Sequence, residues 1–244
     1  MNTLKESFQV PAGNPNDPVP PALVAGGISK SYAGPSGRLQ VLNKLDLEVT
    51  RGTILAILGA SGAGKSTLLN ILGTLDRPDA GTLVIGGEPV DRLSEQELAR
   101  FRARRLGFIF QFHHLLSEFD AQENVMMPLL ISGMEPEQAR VHARGALSDV
   151  GLRERWEHHP AQLSGGEAQR VAVARALVAS PDLVLGDEPS GNLDPAAAGS
   201  LHELMRSLAR EKHQTFVLVT HNDRLAAIAD RVLTLEAGRL TGPA

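Results

Sequence analysis

The sequence predicts an α/β fold: a mostly parallel sheet core, an antiparallel β layer ahead of it and a helical lobe inserted in it. Three observations carry this. Residues 53–58 are an apolar run of strand length, followed by a glycine-rich loop and then, over 65–72, helical spacing with Leu68, Leu69 and Leu72 on one face. From residue 163 onward, helical stretches alternate with short apolar strands, the pattern of a parallel sheet covered on both faces. Before the loop, Val41, Leu45, Leu47 and Val49 alternate with polar residues, as in a half-buried strand.

With 244 residues and 42% apolar content, the chain suits one large domain or two closely packed lobes around a sizeable core. A formal charge of −4 gives no broad basic footprint, so no nucleic acid is expected as a partner. Arg100, Arg102, Arg104 and Arg105 form a local basic cluster that reads as a solvated helix end. The lack of cysteine excludes disulfides, thiolate metal sites and a cysteine nucleophile. No apolar run approaches the ~20 residues that span a bilayer, so any membrane role is expected to run through a partner.

Taken in order, residues 1–21 hold Pro11, Pro15, Pro18, Pro20 and Pro21 without periodicity and are expected to form a flexible leader to a folded unit over 22–244. Strands are expected over 22–32 and 38–49, separated by the turn Gly34-Pro35-Ser36-Gly37. The turn Pro78-Asp79-Ala80-Gly81 leads into a strand over 82–85, and 94–105 reads as a helix capped by Ser94 with Glu97 at the capping-box position. Residues 106–110 form a buried strand ending at Gln111. Two helical patterns over 121–150, broken around Gly133 and Pro136 and carrying Val125, Met126, Leu129 and Leu130 on one face, define the inserted lobe at about 112–165. Trp156 is expected to pack in the core or the lobe. Then come a helix over 165–179, a strand over 183–185, a helix from 195 to about 210, a strand over 215–219, a helix after His221 and a last strand over 231–235.

The loop Gly59-Ala60-Ser61-Gly62-Ala63-Gly64-Lys65-Ser66-Thr67 fits the G-x-x-x-x-G-K-[ST] phosphate-loop pattern, here in its strand–loop–helix setting. Its glycines let the backbone take positive φ and bring N–H groups around phosphate oxygens. The helix N-terminus adds partial positive charge, Lys65 reaches β and γ phosphates, and the Ser66 hydroxyl can ligate Mg²⁺. The apolar strand ending in Asp187-Glu188 supplies the complement: Asp187 to hold the metal or its water, Glu188 to polarise an attacking water. No internal repeat is present, so the chain carries one nucleotide site's worth of motifs.

Leu163-Ser164-Gly165-Gly166-Glu167-Ala168-Gln169-Arg170 resembles the signature motif of ABC ATPases, and it stands upstream of the strand-end acids as it does there. The resemblance covers roughly residues 22–240 and implies a phosphate-loop NTPase of the ABC ATPase fold that hydrolyses ATP with Mg²⁺. It implies that Ser164, Gly165, Gly166 and Glu167 face a γ-phosphate from a helix N-terminus. It further implies that Tyr32 stacks on adenine, that Gln111 senses Mg²⁺ and the γ-phosphate, and that His221 contacts the γ-phosphate. Ser190-Gly191-Asn192-Leu193-Asp194 resembles the loop that crosses the dimer interface. In the family, one subunit's signature completes another's phosphate loop, so the partner is a second copy, head to tail. Two departures are mild: Gly186 where a larger apolar residue is usual, and Ser190 where Thr is usual.

Around Gln111, the run Gln111-Phe112-His113-His114-Leu115-Leu116, followed by 123–130, is similar to the ATP-binding subunits of bacterial lipoprotein-releasing transporters. That similarity implies transmembrane partner subunits and a peripheral place on the cytoplasmic face of the inner membrane. ATPases of macrolide-export and cell-division type resemble the same region, and soluble ABC ATPases acting on DNA or ribosomes form a further alternative, disfavoured because no long coiled-coil insertion or second ATPase half is present. A phosphate-loop kinase is disfavoured by the signature motif. His113 and His114 are adjacent, point apart on a strand and lack partners at ligand spacing, so they are not read as metal ligands. Phe112, His113, Met126 and Met127 are expected to line a groove for a partner helix.

Overall fold

The computed structural model describes residues 20–34 and 37–242, so Pro35 and Ser36 of the first turn and nearly all of the expected leader lie outside the described residues. The alternation at the start of the chain builds a hairpin, β1 (Leu23–Gly34) and β2 (Gly37–Val49), in which Leu42, Leu45, Leu47 and Val49 turn inward. After β3 (Ile54–Leu58) and α1 (Lys65–Leu72), β4 (Ala80–Ile85) and the two-residue β5 (Glu88–Pro89) complete a four-stranded antiparallel sheet of order β2-β1-β4-β5. Next, α2 (Glu95–Arg105) begins with the full Ser94–Glu97 capping box and leads directly into β6 (Leu106–Phe110).

The lobe helices are α3 (Ala121–Ile131) and α4 (Pro136–Asp149). Pro136 opens α4 at its first turn, where the missing N–H costs nothing, and the Pro that sits inside a helix is Pro128 of α3. The backbone N–H of Gln122 donates to the Trp156 carbonyl, and the Arg144 guanidinium lies 4.5 Å from the Trp156 ring centroid, so this Trp braces the lobe. Then follow α5 (Gly165–Leu177), β7 (Leu183–Asp187), α6 (Pro195–Glu211) and β8 (Phe216–Val219). The helix expected after His221 is a single turn, α7 (Asp223–Ala226). The last expected strand, β9 (Arg231–Glu236), is joined by a strand the sequence does not announce, β10 (Arg239–Thr241), through a turn in which Ala237 and Gly238 both take positive φ.

The six-stranded sheet has the order β10-β9-β3-β8-β7-β6, parallel except for the β9–β10 hairpin. Its inner strands β3, β8 and β7 are buried on both faces, and alternate residues go to opposite cores. Leu55, Ile57, Leu185, Val217 and Val219 meet α1 and the antiparallel layer, whereas Val184, Phe216 and Leu218 meet α5, α6 and the lobe. Register fixes what emerges at the carboxyl edge: Ile57 pairs with Val219, Val219 with Asp187 and Asp187 with Phe110. The residues that follow each of these therefore leave the sheet side by side, where ligands of such sheets bind.

Helix α5 lies so close to β6 that a Cβ at Gly107 would stand 2.3 Å from the Ala176 carbonyl oxygen. Backbone cannot retreat as a side chain can, so Gly107→Val is expected to destabilise the fold by about 1–3 kcal/mol through overpacking. A lowered urea midpoint checks this; an unchanged midpoint contradicts the close approach.

Candidate active site

A cavity of about 780 Å³ opens at that carboxyl edge, walled by Tyr32, the phosphate loop, Gln111, Asp187, Glu188 and His221. Gly62 and Gly64 take φ of 81° and 101°, the conformation the loop requires and β-carbon residues avoid. Gly59, Ala60, Ser61, Lys65, Ser66 and Thr67 also line the cavity. Ala63 is not on its wall, and its N–H donates to the Ala60 carbonyl. The Lys65 ammonium donates to the carbonyls of Gly59 (2.7 Å) and Ala60 (3.1 Å), which holds its charge over the mouth of the loop.

The Ser66 hydroxyl donates to Asp187 at 3.1 Å, joining loop to strand end. Partial burial, assisted by the neighbouring Glu188 charge, pushes the Asp187 carboxyl above its usual range despite the Ser66 bond and Lys65. A carboxylate short of solvation beside a hydroxyl, with the Gln111 amide on the same wall, is a hard-oxygen donor set that fits Mg²⁺. Gln111 is itself held: its side-chain amide donates to Asn192 at 3.0 Å and the Asn192 amide donates to the Gln111 backbone carbonyl at 3.2 Å.

Glu188 is the most tightly arranged side chain of the group. Its backbone takes φ of 47°, a strained value for a residue with a β-carbon. One carboxylate oxygen accepts the Thr220 hydroxyl at 2.7 Å; the other accepts the His221 backbone N–H at 2.8 Å and lies 2.5 Å from its ring Nδ1. The carboxylate is 12% exposed while the His221 ring is 74% exposed, so the pair presents a nearly dry acceptor with an open imidazole beside it. Thr220 is fully buried. The sequence marks it only as the residue between strand and His221, and its bond to Glu188 closes a separation of 32 positions.

Tyr32 stands at the rim, its hydroxyl donating to Asp76 at 2.8 Å and the Lys30 ammonium 5.2 Å from its ring centroid, so the phenol is fixed with its ring partly exposed. Asp76, 44 positions away, and Val41, which lines the cavity, are further site residues that sequence reasoning does not find.

The signature residues are elsewhere. Ser164 caps α5, accepting the Glu167 N–H, and neither it nor Gly165, Gly166 or Glu167 lines the cavity. Glu167, expected to face nucleotide, has both oxygens engaged: one with the Ser164 N–H and hydroxyl, the other with Arg155. The Ser164 N–H, followed by the Arg155 guanidinium, pulls its carboxyl down to about 2. Its contribution is to hold Ser164 at the exposed helix end.

Of the groove expected from Phe112, His113, Met126 and Met127, Met126 cannot form a wall, while Phe112 is exposed and His113 and Met127 are half-buried. Met126 is 6% exposed and belongs to the lobe core, because α3 turns it toward α4 and α5. His113 and His114 lie beyond the end of β6 and not on a strand, and their carbonyls accept the Arg175 guanidinium at 2.7 and 2.8 Å. A groove of about 370 Å³ instead runs between α2, β6 and α3, with Leu75, Ala103, Phe108, Phe110, Pro128 and Ile131 in its walls; Ile131 is 76% exposed. Two of the clustered arginines serve structure: Arg102 donates to the Thr74 carbonyl and Arg105 pairs with Asp182.

Gly186, which departs from the resemblance, has a spatial cause. A Cβ there would stand 2.6 Å from Leu218 Cδ2, so Leu218 occupies the space a larger side chain would take.

Residues 42–191 match the family model for ABC transporter. The chain is 51% identical over 213 residues to the lipoprotein-releasing system ATP-binding protein LolD of Geobacter metallireducens, covering 87% of this chain and 95% of that protein. It is 52% identical over 226 residues to the protein of the same name from Bordetella pertussis, covering 93% and 97%. Among solved structures, the dimeric post-hydrolysis state of the ATP-binding cassette MJ0796 bound to ADP and Pi is similar at a TM-score of 0.80 and 34% identity, covering 89% of this chain and 96% of that one. A second dimeric structure of MJ0796, titled a bacterial ABC transporter cassette, is similar at a TM-score of 0.80 and 36% identity, covering 89% and 96%.

Proposed function

The chain belongs to the ABC transporter family, and from that premise we propose that it is the ATP-hydrolysing subunit of a lipoprotein-releasing transporter. It works as a peripheral protein on the cytoplasmic face of the bacterial inner membrane, through transmembrane partner subunits. Residues 22–244 act as one nucleotide-binding unit with the lobe inserted in it. The observation that carries hydrolysis is the convergence of phosphate loop, Asp187, Glu188 and His221 on one cavity at the carboxyl edge of the sheet. The cargo rests on identity of 51–52% over most of the chain to LolD proteins. No described helix is long and apolar enough to cross a membrane, which supports action through partners.

ATP lies with adenine on Tyr32 and its phosphates in the loop, where backbone N–H groups and Lys65 meet the β and γ oxygens. Ser66, Asp187 and Gln111 hold Mg²⁺, which, when bound, neutralises charge developing on the transferred phosphoryl group. Glu188 takes the proton of the attacking water as that oxygen bonds to the γ-phosphorus and the bond to the β-phosphate oxygen breaks. Thr220 and His221 keep the carboxylate aimed. The exposed His221 ring, its Nδ1 against Glu188, stands on the cavity wall beside the position of the γ-phosphate.

The site is completed by a second copy, head to tail, whose Ser164 cap faces the γ-phosphate. What supports this is that the cap is exposed and off its own cavity, and that similar cassettes are dimeric. A helix of a transmembrane subunit enters the groove beside Ile131, at the junction of lobe and sheet, where ATP-driven closure moves it.

Pull-down of the full chain with its membrane fraction tests this reading. Transmembrane subunits are expected to copurify, and Ile131→Glu, which replaces an exposed apolar contact with a charge that a docking helix would have to desolvate, is expected to lose them while ATP binding persists. Bound ribosomes or DNA in place of membrane subunits contradict the transporter reading.

A further inference from the structure

His202 lies on the second turn of α6, among Ala198, Leu201 and Met205, and is 4% exposed. A buried imidazole in an otherwise apolar face demands a partner. It has one: Nε2 lies 2.9 Å from Ser190 Oγ, and Ser190 is equally buried. The bond is made either by the Ser190 hydroxyl donating to a bare Nε2, which requires the neutral ring, or by Nε2–H donating to Oγ, which a protonated ring also makes.

Ser190 is the second residue after Glu188, inside the turn that leads from catalytic strand to α6. The Gly191 N–H donates to the Glu188 carbonyl at 2.9 Å, the Leu193 N–H to the Ser190 carbonyl at 3.2 Å, and Asn192 exchanges bonds with Gln111. At the end of the turn Asp194 caps α6. The His202–Ser190 bond therefore ties the middle of this turn to the helix interior, between the acid that handles water and the glutamine that lines the cavity.

We propose that His202 is a positioning residue: through Ser190 it holds the 188–194 turn, and with it Glu188 and Gln111, in the arrangement that hydrolysis needs. The inference rests on the ATPase reading of the cavity. It makes the turn sensitive to protons from behind the site. The charged groups facing the ring are Glu203 on α6 itself and Arg224 on α7. Burial holds the imidazole below its ordinary value of 6.5, with Glu203 pulling it up and Arg224 pushing it down. A folded pKa below the unfolded one means the unfolded chain binds the extra proton. The stability from the neutral contact is therefore whole above pH 6.5 and is lost as pH falls through the lowered folded value.

Steady-state ATP hydrolysis by the full chain tests it with His202→Phe, His202→Gln, Ser190→Ala and the Ser190→Ala/His202→Phe double variant. His202→Phe and Ser190→Ala are each expected to lower kcat by about three- to tenfold, the worth of one buried hydrogen bond, with KM for ATP unchanged. The double variant is expected to lose no more than the worse single one. His202→Gln, which keeps a polar nitrogen near Nε2 but does not titrate, is expected to retain most of kcat and flatten the decline of activity on the acid side of pH 6.5. Unchanged kcat in Ser190→Ala, additive losses in the double variant, or His202→Gln as impaired as His202→Phe overturns the proposal. Ser190→Ala removes a single oxygen and carries the test if His202→Phe fails to fold. A wild-type chain that hydrolyses no ATP, alone or with its partners, strikes the ATPase reading instead.

Discussion

Glu188→Gln is expected to reduce ATP hydrolysis by about 10²- to 10⁴-fold while leaving ATP binding intact, the scale of a lost general base. The substitution suits the question because it changes proton affinity and little else. Glu188 is wedged between the Thr220 hydroxyl and the His221 N–H. A glutamine can keep its oxygen on the His221 side and turn its amide to Thr220 Oγ, which accepts it. The strained backbone at φ of 47° and the neighbouring turn keep their contacts. With chemistry stopped and nucleotide held, the closed dimer is expected to accumulate, visible in size-exclusion chromatography with ATP as a species of twice the mass. Turnover at the wild-type rate contradicts the assignment of Glu188 as the base.

Ser164→Asp is expected to abolish hydrolysis in the dimer and spare nucleotide binding by the isolated subunit. Aspartate accepts the Glu167 N–H at the N-cap as serine does, but it exchanges the hydroxyl donated to Glu167 for a second carboxylate, so a thermal melt of the separate subunit accompanies the assay to check that α5 keeps its start. What changes is the charge at an exposed helix end, and in the head-to-tail arrangement that end faces the γ-phosphate of the other copy. A carboxylate there opposes phosphate where a hydroxyl and the helix dipole attract it. Loss of ATP binding by the separate subunit contradicts a role in trans, because Ser164 does not line that subunit's own cavity.

Local chemistry was legible in the sequence wherever the residues that decide it are neighbours. The glycines of the phosphate loop, the Ser94–Glu97 cap and the apolar strand ending in Asp187 each state their geometry within a few positions. The parallel core followed from strand–helix alternation, and register then brought Gln111, Glu188 and His221 to one edge. The misses have another physical origin. Met126 and Ile131 belong to one helix pattern, and only packing of α3 against α4 and α5 decides that the first is core and the second exposed. The Tyr32–Asp76 and Gln111–Asn192 pairs span 44 and 81 positions, beyond any periodicity. Strand β10 has three residues, too few to show alternation, and is set by the turn at Ala237 and Gly238. Gly186 is explained by Leu218, which fills the space beside it from another strand.

The central claim is that each phosphate loop is half a site. Mixing two inactive variants, Lys65→Ala and Ser164→Asp, and measuring ATP hydrolysis tests it most directly. A mixed dimer has one site with both defects and one with an intact loop facing an intact signature. Hydrolysis that is absent from each variant alone and appears on mixing is the predicted result; a mixture as inactive as its components contradicts the account.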